Sequence, residues 1–376
     1  MLTFIDIEFM KNHTDTPFYQ KLSFTLISVS LICVGLFFGR DIILPLLFSI
    51  LMANILLPLT HYLAKRRFNK LLSILLPLFL SIIVGVGVLY FLSSQIMNFI
   101  NDVPALKERV NEVSHSVQVW FRQTTDITIR KQNQYIHDTI NDFKDNTPGL
   151  VGSTFDSLAE ILIYVVLIPL YTFLILYYKR NIKTFLINVF KNGSEQKVTE
   201  VLTESTKVAQ QYLTGLLIET TLVFMLNTTG FLILGIKYAV FLALLAALLN
   251  LIPYVGILVA NVLCMLITLA SSDNISSVIW VGIILAVIQF LDNNFGMPLI
   301  VGNKVRINAL VTIVGVFIGG ALCGIPGMFL AIPGLAVLKV IFDKVPELQP
   351  WGTLLGDSTI QDLEVTSRKI NESANP

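Results

Sequence analysis

From residue 22 onward the chain is built of long apolar runs joined by short polar links, with neither the alternation of a half-buried strand nor the 3.6-residue period of a surface helix. Runs of about 18 or more apolar residues with few charges have the length that a bilayer's hydrocarbon core demands of a helix. Five such runs lie at roughly 22–39, 42–59, 71–94, 158–178 and 212–234, and a sixth lies between the loop at 271–276 and the polar link at 302–308. Only Arg40 and Asp41 separate the first two, which predicts a tight helical hairpin.

Between 99 and 150 the pattern changes. Acidic and basic residues are nearly balanced there, and Val103, Leu106, Val110, Val113, Val117 and Trp120 recur at three and four residues, the spacing of an amphipathic helix. A weaker repeat follows through Tyr135, Ile136, Ile140 and Phe143 before the Pro148–Gly149 break. This segment reads as a helical insert outside the cytoplasm.

Two further apolar blocks, 238–270 and 309–342, are too long for one crossing. As straight helices they would reach about 50 Å, against a core of about 30 Å. Each carries a helix breaker near its middle, PYVG at 253–256 and CGIPG at 323–327. Proline removes a backbone donor and glycine loosens the turn, so each block is expected to form a re-entrant pair of short helices.

Charge placement points the same way. Lys65, Arg66, Arg67 and Lys70 face no acidic residue in their link, and Lys179, Arg180, Lys183, Lys191, Lys197 and Lys207 follow the fourth run; both segments are cytoplasmic by the positive-inside rule. If the long blocks are hairpins, Lys304 and Arg306 fall inside and the uncompensated SSDNIS loop falls outside; two full crossings reverse this. The last two blocks, each preceded by a span and a GxK turn (Gly235 and Lys237; Gly302 and Lys304), then form an inverted repeat.

The expected architecture is an all-α polytopic membrane protein of about six transmembrane helices plus two re-entrant helical hairpins, with eight transmembrane helices as the alternative. Its parts are a three-span scaffold (1–98), the extracytoplasmic insert (99–155), the fourth span with a basic linker (156–211), an inverted-repeat transport region (212–345) and a cytoplasmic tail (346–376). Both termini are expected in the cytoplasm. Lys11 and Lys21 precede the first run as they would in a signal peptide, but no small-residue cleavage site follows, so that run should persist as an anchor.

Composition sharpens the picture. The chain is 54% hydrophobic and 14% charged, with a mean hydropathy of +0.74, whereas soluble domains carry about 25% charged residues. A net charge of +1 gives no reason to expect nucleic acid. Cys33, Cys264 and Cys323 lie far apart inside apolar runs, as small buried hydrophobes do. His13, His61, His115 and His137 share no metal spacing. HExxH, GxSxG, GxGxxG and Walker sequences are absent, so neither an enzyme nor a bound cofactor is expected.

Ionisable groups inside spans are expensive and are functional candidates for that reason. Asp292 stands in QFLDNNFGMP with Gln289, Asn293 and Asn294, a cluster of oxygens that could hold Na⁺, a proton or a hydroxylated solute; Glu219 lies about two turns inside the fifth run. Broken helices offer free carbonyls and partial charges, which adds Asn250, Pro253, Tyr254 and Gly256 in one hairpin and Gly324, Pro326 and Gly327 in the other.

NLIPYVG at 250–256, the stretch from Asp292 through Pro298 to Gly302, and GVFIGGALCGIPGMFLAIPGLAVLKVIF at 315–342 resemble the C-terminal signature of the autoinducer-2 exporter family. That resemblance implies a bacterial inner-membrane permease, homo-oligomeric and with a pentamer among the expected assemblies. It implies a secondary transporter that exports a small polar solute such as an autoinducer-2-type signal by alternating access, with Na⁺(Li⁺)/H⁺ antiport as the alternative activity; the implied partners are the lipid bilayer, that solute, and Na⁺ or H⁺. Many members carry a polar or basic residue after the glycine that follows Tyr212. This chain has Gly215, Leu216 and Leu217 instead and places Glu219 a turn later. A scaffold or receptor that uses the 99–150 segment to bind a partner is the remaining reading.

Overall fold

The structure, a computed structural model, describes residues 18–124, 154–190, 195–252, 255–272, 274–296, 300 and 307–356. The described residues form helices α1 (Phe18–Phe38), α2 (Arg40–Lys65), α3 (Lys70–Thr124), α4 (Thr154–Val189), α5 (Glu195–Ile233), α6 (Ala239–Leu249), α7 (Val255–Ser271), α8 (Ile275–Leu291), α9 (Ala309–Lys344) and α10 (Gln349–Leu355), with a π-helical turn at Asp292–Gly296 and a 3₁₀ turn at Pro346–Leu348. They contain no strand, which follows from the solvent: in hydrocarbon a helix satisfies its backbone within its own segment. Six helical stretches are long and apolar enough to cross a membrane, Arg40–Lys65, Lys70–Phe99, Tyr164–Val189, Glu195–Ile233, Ile275–Gly296 and Ala309–Lys344.

Two boundaries differ from the sequence pattern. The first two apolar runs do not reverse into a hairpin. Gly39 N–H donates to Gly35 and Ile43 N–H to Gly39, so helical bonding continues through the junction, leaving no loop to turn the chain. α1 has few neighbours, touching α2 and α9. The second difference is α3, one rod of 55 residues that joins the third run to the start of the insert. At about 80 Å it extends far beyond a bilayer core. The weaker repeat at 135–143 lies outside the described residues.

The scaffold half packs α2, α3 and α4 around Ala53, Leu56, Ile74, Leu78 and Leu176. A polar knot joins α2 to α4: the Ser49 hydroxyl donates to the carbonyls of Pro45 (2.6 Å) and Ile168 (3.0 Å), and Thr172 donates to Ile168 at 2.7 Å. Such bonds hold helices together where lipid supplies no hydrophobic drive between them. The other half packs α5, α6, α7 and α8 around Phe231, Leu242, Ala243, Ala260, Cys264 and Val281. α5 is the shared element, in contact with α2, α4, α6, α8 and α9.

Both long blocks fold back on themselves. In the first, α6 and α7 run antiparallel: the Cys264 thiol reaches the Leu242 carbonyl, and a Cβ on Gly256 would collide with the Leu249 carbonyl. In the second, α9 breaks at Gly324, whose φ of 65° and ψ of −152° belong to a region essentially reserved for glycine. Its arms approach so closely that a Cβ on Gly319 or Gly327 would strike the other's carbonyl, while Gly315 meets Leu335. The start of this block also meets the helix that follows it, because Asn308 N–H donates to the carbonyl of Leu355 at the end of α10 at 2.9 Å. Between α5 and α6, Gly235 at φ 66° ends α5 in a Schellman turn, with Ile236 N–H bonded to Phe231 and Gly235 N–H to Leu232.

The basic ends of several helices gather on one face. Lys179 Nζ lies 3.0 Å from His61 Nε2, Lys70 sits over the Tyr177 ring at 4.1 Å, and Lys344 pairs with Glu200 (2.7 Å) and Glu204 (3.1 Å). Segments that the charge pattern assigns to one compartment are therefore neighbours in space.

Gly324→Ala should lower the melting temperature in detergent, since that backbone costs a residue with a Cβ about 1–3 kcal/mol. The same change at Gly334, where a Cβ meets nothing within 4 Å, should leave melting unchanged or raise it slightly. Thermal denaturation of the two variants side by side checks this, and equal melting would remove Gly324 as the fold point.

Candidate functional site

The tip of the α6–α7 hairpin sits where α5 and α8 come together. Asn250 caps the C-terminus of α6, and its side-chain amide donates to Asp292 Oδ2 over a long 3.5 Å. Asp292 closes α8 and opens the π-helical turn, a local widening that recurs at functional sites. Across from it, Glu219 projects from α5, and the two carboxyl groups lie close enough to interact electrostatically. Glu219 is 4% exposed and Asp292 6%. The chain therefore holds two buried carboxyls as neighbours, Glu219 inside α5 and Asp292 at the end of α8.

Two cavities flank Asp292. One of about 20 Å³ is lined by Asn227, Asn250, Asn261, Gln289 and Asp292 among apolar neighbours, room for a single water-sized occupant. The other, about 220 Å³, is lined by Leu222, Leu226, Phe295, Gly296 and Asp292 among others. Asn227 donates to the Val223 carbonyl at 3.0 Å. Its own Oδ1, together with Glu219 Oε2 and Asp292 Oδ1, is buried with no hydrogen-bond donor among the described residues. Oxygens left in that state suit a small hard cation or a proton carried between carboxyls. Among the described residues no three His, Cys, Asp or Glu side chains cluster as a metal site would require.

The structure brings together Glu219, Asn250, Asp292 and Gln289 from the sequence candidates. Gln289 also donates to Asn293 at 3.0 Å, and Asn294 donates to the Phe290 carbonyl at 2.7 Å; both asparagines are exposed and tie down the π turn. Gly256 serves the close approach of the two arms. Pro253 and Tyr254 lie outside the described residues. Gly324, Pro326 and Gly327 form the other tip, which rests on α2 and α5, with Phe329 stacked on Phe48 at 5.7 Å. Asn227 and Asn261 were not singled out from sequence. Their signal was there: a lone amide inside an apolar helix, in Asn227's case two turns beyond Glu219 on the same face.

With this geometry in hand, comparison with known proteins gives the family. The profile of the AI-2E family transporter matches residues 26–347. The chain belongs to the AI-2E family. It is 26% identical over 315 residues to YrrI of Bacillus subtilis, covering 80% of this chain and 86% of that one. It is 23% identical to YueF of the same organism over 319 residues, 83% and 86% of the two chains, and 25% identical to PerM of Escherichia coli over 328 residues, 84% and 90%. The first two are similar proteins named for transport and the third for a permease. As an AI-2E member with helices of this length and apolarity, the chain is a multi-pass membrane transporter in lipid.

Glu219→Gln should melt at or above the parent's temperature, because an amide can donate to Asp292 where a second carboxylate cannot, and a charge-assisted bond contributes about 1.5–3 kcal/mol. Asp292→Leu, which strands Glu219 and Asn250, should melt lower. Thermostability in detergent distinguishes them; equal losses would mean that the carboxyls do not face each other.

Proposed function

We propose that this AI-2E member is a secondary transporter coupled at the Glu219–Asp292 pair, exchanging protons for a monovalent cation such as Na⁺ or Li⁺. The proximity of two buried carboxyl groups supports this reading most directly. Such groups attract each other only when a proton or a cation stands between them. A site that must hold one of the two, and has space for only one, makes proton and cation competitors, which is the chemical requirement of antiport. Glu219 and Asp292 hold the charge. Asn227, Asn250, Asn261 and Gln289 supply neutral oxygens that could replace part of a cation's water shell.

The hairpin geometry suggests how access alternates. Both tips enter the lipid and return to the face they left, and movement of the Asn250 tip against α5 exposes the pair to one side or the other. The chain has no Walker sequence, so the driving force is a gradient. A second reading, outward transport of a small polar solute such as an autoinducer-2-type signal, draws on the 220 Å³ cavity beside Asp292, which has room for a small organic molecule. In that case the pair couples solute movement to the proton gradient. The bacterial inner membrane is the setting for either, with a homo-oligomer as the working assembly.

Purified protein in liposomes carrying a pH-sensitive dye tests this. Adding Na⁺ or Li⁺ should dissipate an imposed pH gradient with the parent, and Glu219→Gln and Asp292→Asn should each fall to the protein-free background while eluting as folded protein. Undiminished flux in both variants would discard the pair as the coupling site. Uptake of labelled furanone-type solute that depends on these carboxyls, with no response to cations, would select the second reading.

A further inference from the structure

A second cavity of about 970 Å³ lies between α2, α4 and α5, away from the carboxyl pair. Its α2 and α4 walls are mainly aliphatic, from Leu46 to Leu57 around Asn54 and from Ile175 to Leu186, its α5 wall adds Thr203, Thr206 and Gln210, and its basic end carries His61, Lys179, Arg180, Lys183 and Lys207. Among the described residues none of these four lysine and arginine side chains pairs with a carboxylate. The nearby acids of α5, Glu200 and Glu204, are taken by Lys344. Four cations thus surround a greasy cleft. Leu46, Ile50 and Ile182, which line it, are 40%, 40% and 42% exposed, so the cleft opens sideways on an apolar surface, where lipid chains rather than water would reach it.

We propose that this cleft is a binding site for an anionic phospholipid of the leaflet at the basic face, its phosphate held by Lys179, Arg180, Lys183 and Lys207 and its acyl chains laid along α2 and α4. Basic pockets between membrane helices recognise phosphate head groups in this way, and a neighbouring bilayer supplies the ligand. The head group and the chains are both needed: the cations alone would suit any soluble phosphate, and the aliphatic wall alone would take any lipid. A second copy of the chain is a poorer occupant, because symmetry would bring like-charged rims together. The site couples lipid charge to the packing of α5, the helix that carries Glu219.

The test is lipid binding by native mass spectrometry and thermal shift on the full chain in detergent, with phosphatidylglycerol, phosphatidylcholine and inorganic phosphate as probes. The parent should bind phosphatidylglycerol about tenfold or more tighter than phosphatidylcholine, a difference of one decade in Kd, and should melt higher with it. Phosphate alone should give no shift. The triple variant Lys179→Gln, Lys183→Gln, Lys207→Gln should lose the preference, while Lys65→Gln with Arg66→Gln, which removes charge from the same face outside the cleft, should keep it. Equal binding of the two lipids by the parent, an equal shift from free phosphate, or an intact preference in a folded triple variant would each overturn the site. A concentration-dependent dimer that excludes phosphatidylglycerol would assign the cleft to a second copy instead. The parent's lipid preference stands as a measurement even if the triple variant fails to fold.

Discussion

A helix that breaks in the middle of an apolar block leaves backbone groups without their helical partners, and the second half of this protein is organised around that constraint. Away from water an orphaned carbonyl costs several kcal/mol. Each break is met by folding the arms together until backbone approaches backbone, which demands glycine at the contacts: Gly256 against Leu249, Gly319 against Gly327. Small residues thus set how tightly the arms close, and the arms in turn set where each tip ends.

Placing the first tip between α5 and α8 creates the chemistry. α5 enters the site bearing Glu219 and Asn227 on one face, and α8 ends there in Asp292. Among the described residues neither carboxyl has a cationic neighbour to offset its burial. A purely structural core would gain from replacing both by apolar residues. α5 also joins this site to the basic face, where its first turns hold Lys344 through Glu200 and Glu204. α5 therefore adjoins the carboxyl pair, the second hairpin and the cleft between α2 and α4.

The charge distribution orders the molecule at a longer range. The ends of α2 and α4 and the beginning of α5 carry a large share of the described cations, and contacts such as Lys179 with His61 bring them within reach of one another. Like charges gather there because water and anionic head groups screen and attract them, whereas the opposite ends of the helices stay nearly neutral.

The sequence by itself determined that the chain is helical and lives in lipid, because run length and hydropathy measure directly what the bilayer requires. It also marked where the long blocks break, since proline and glycine act locally, and it identified Glu219 and Asp292 as exceptional, since charge inside an apolar run is costly wherever the helix lies. Tertiary structure alone decided that these two, 73 positions apart, face each other with Asn250 beside them, that Gly324 and its neighbours form a different tip, and that the first two runs continue through Gly39 without reversing. Pairing across helices depends on rotation and tilt, which packing of whole faces fixes, and no local pattern of apolar and polar positions encodes those angles.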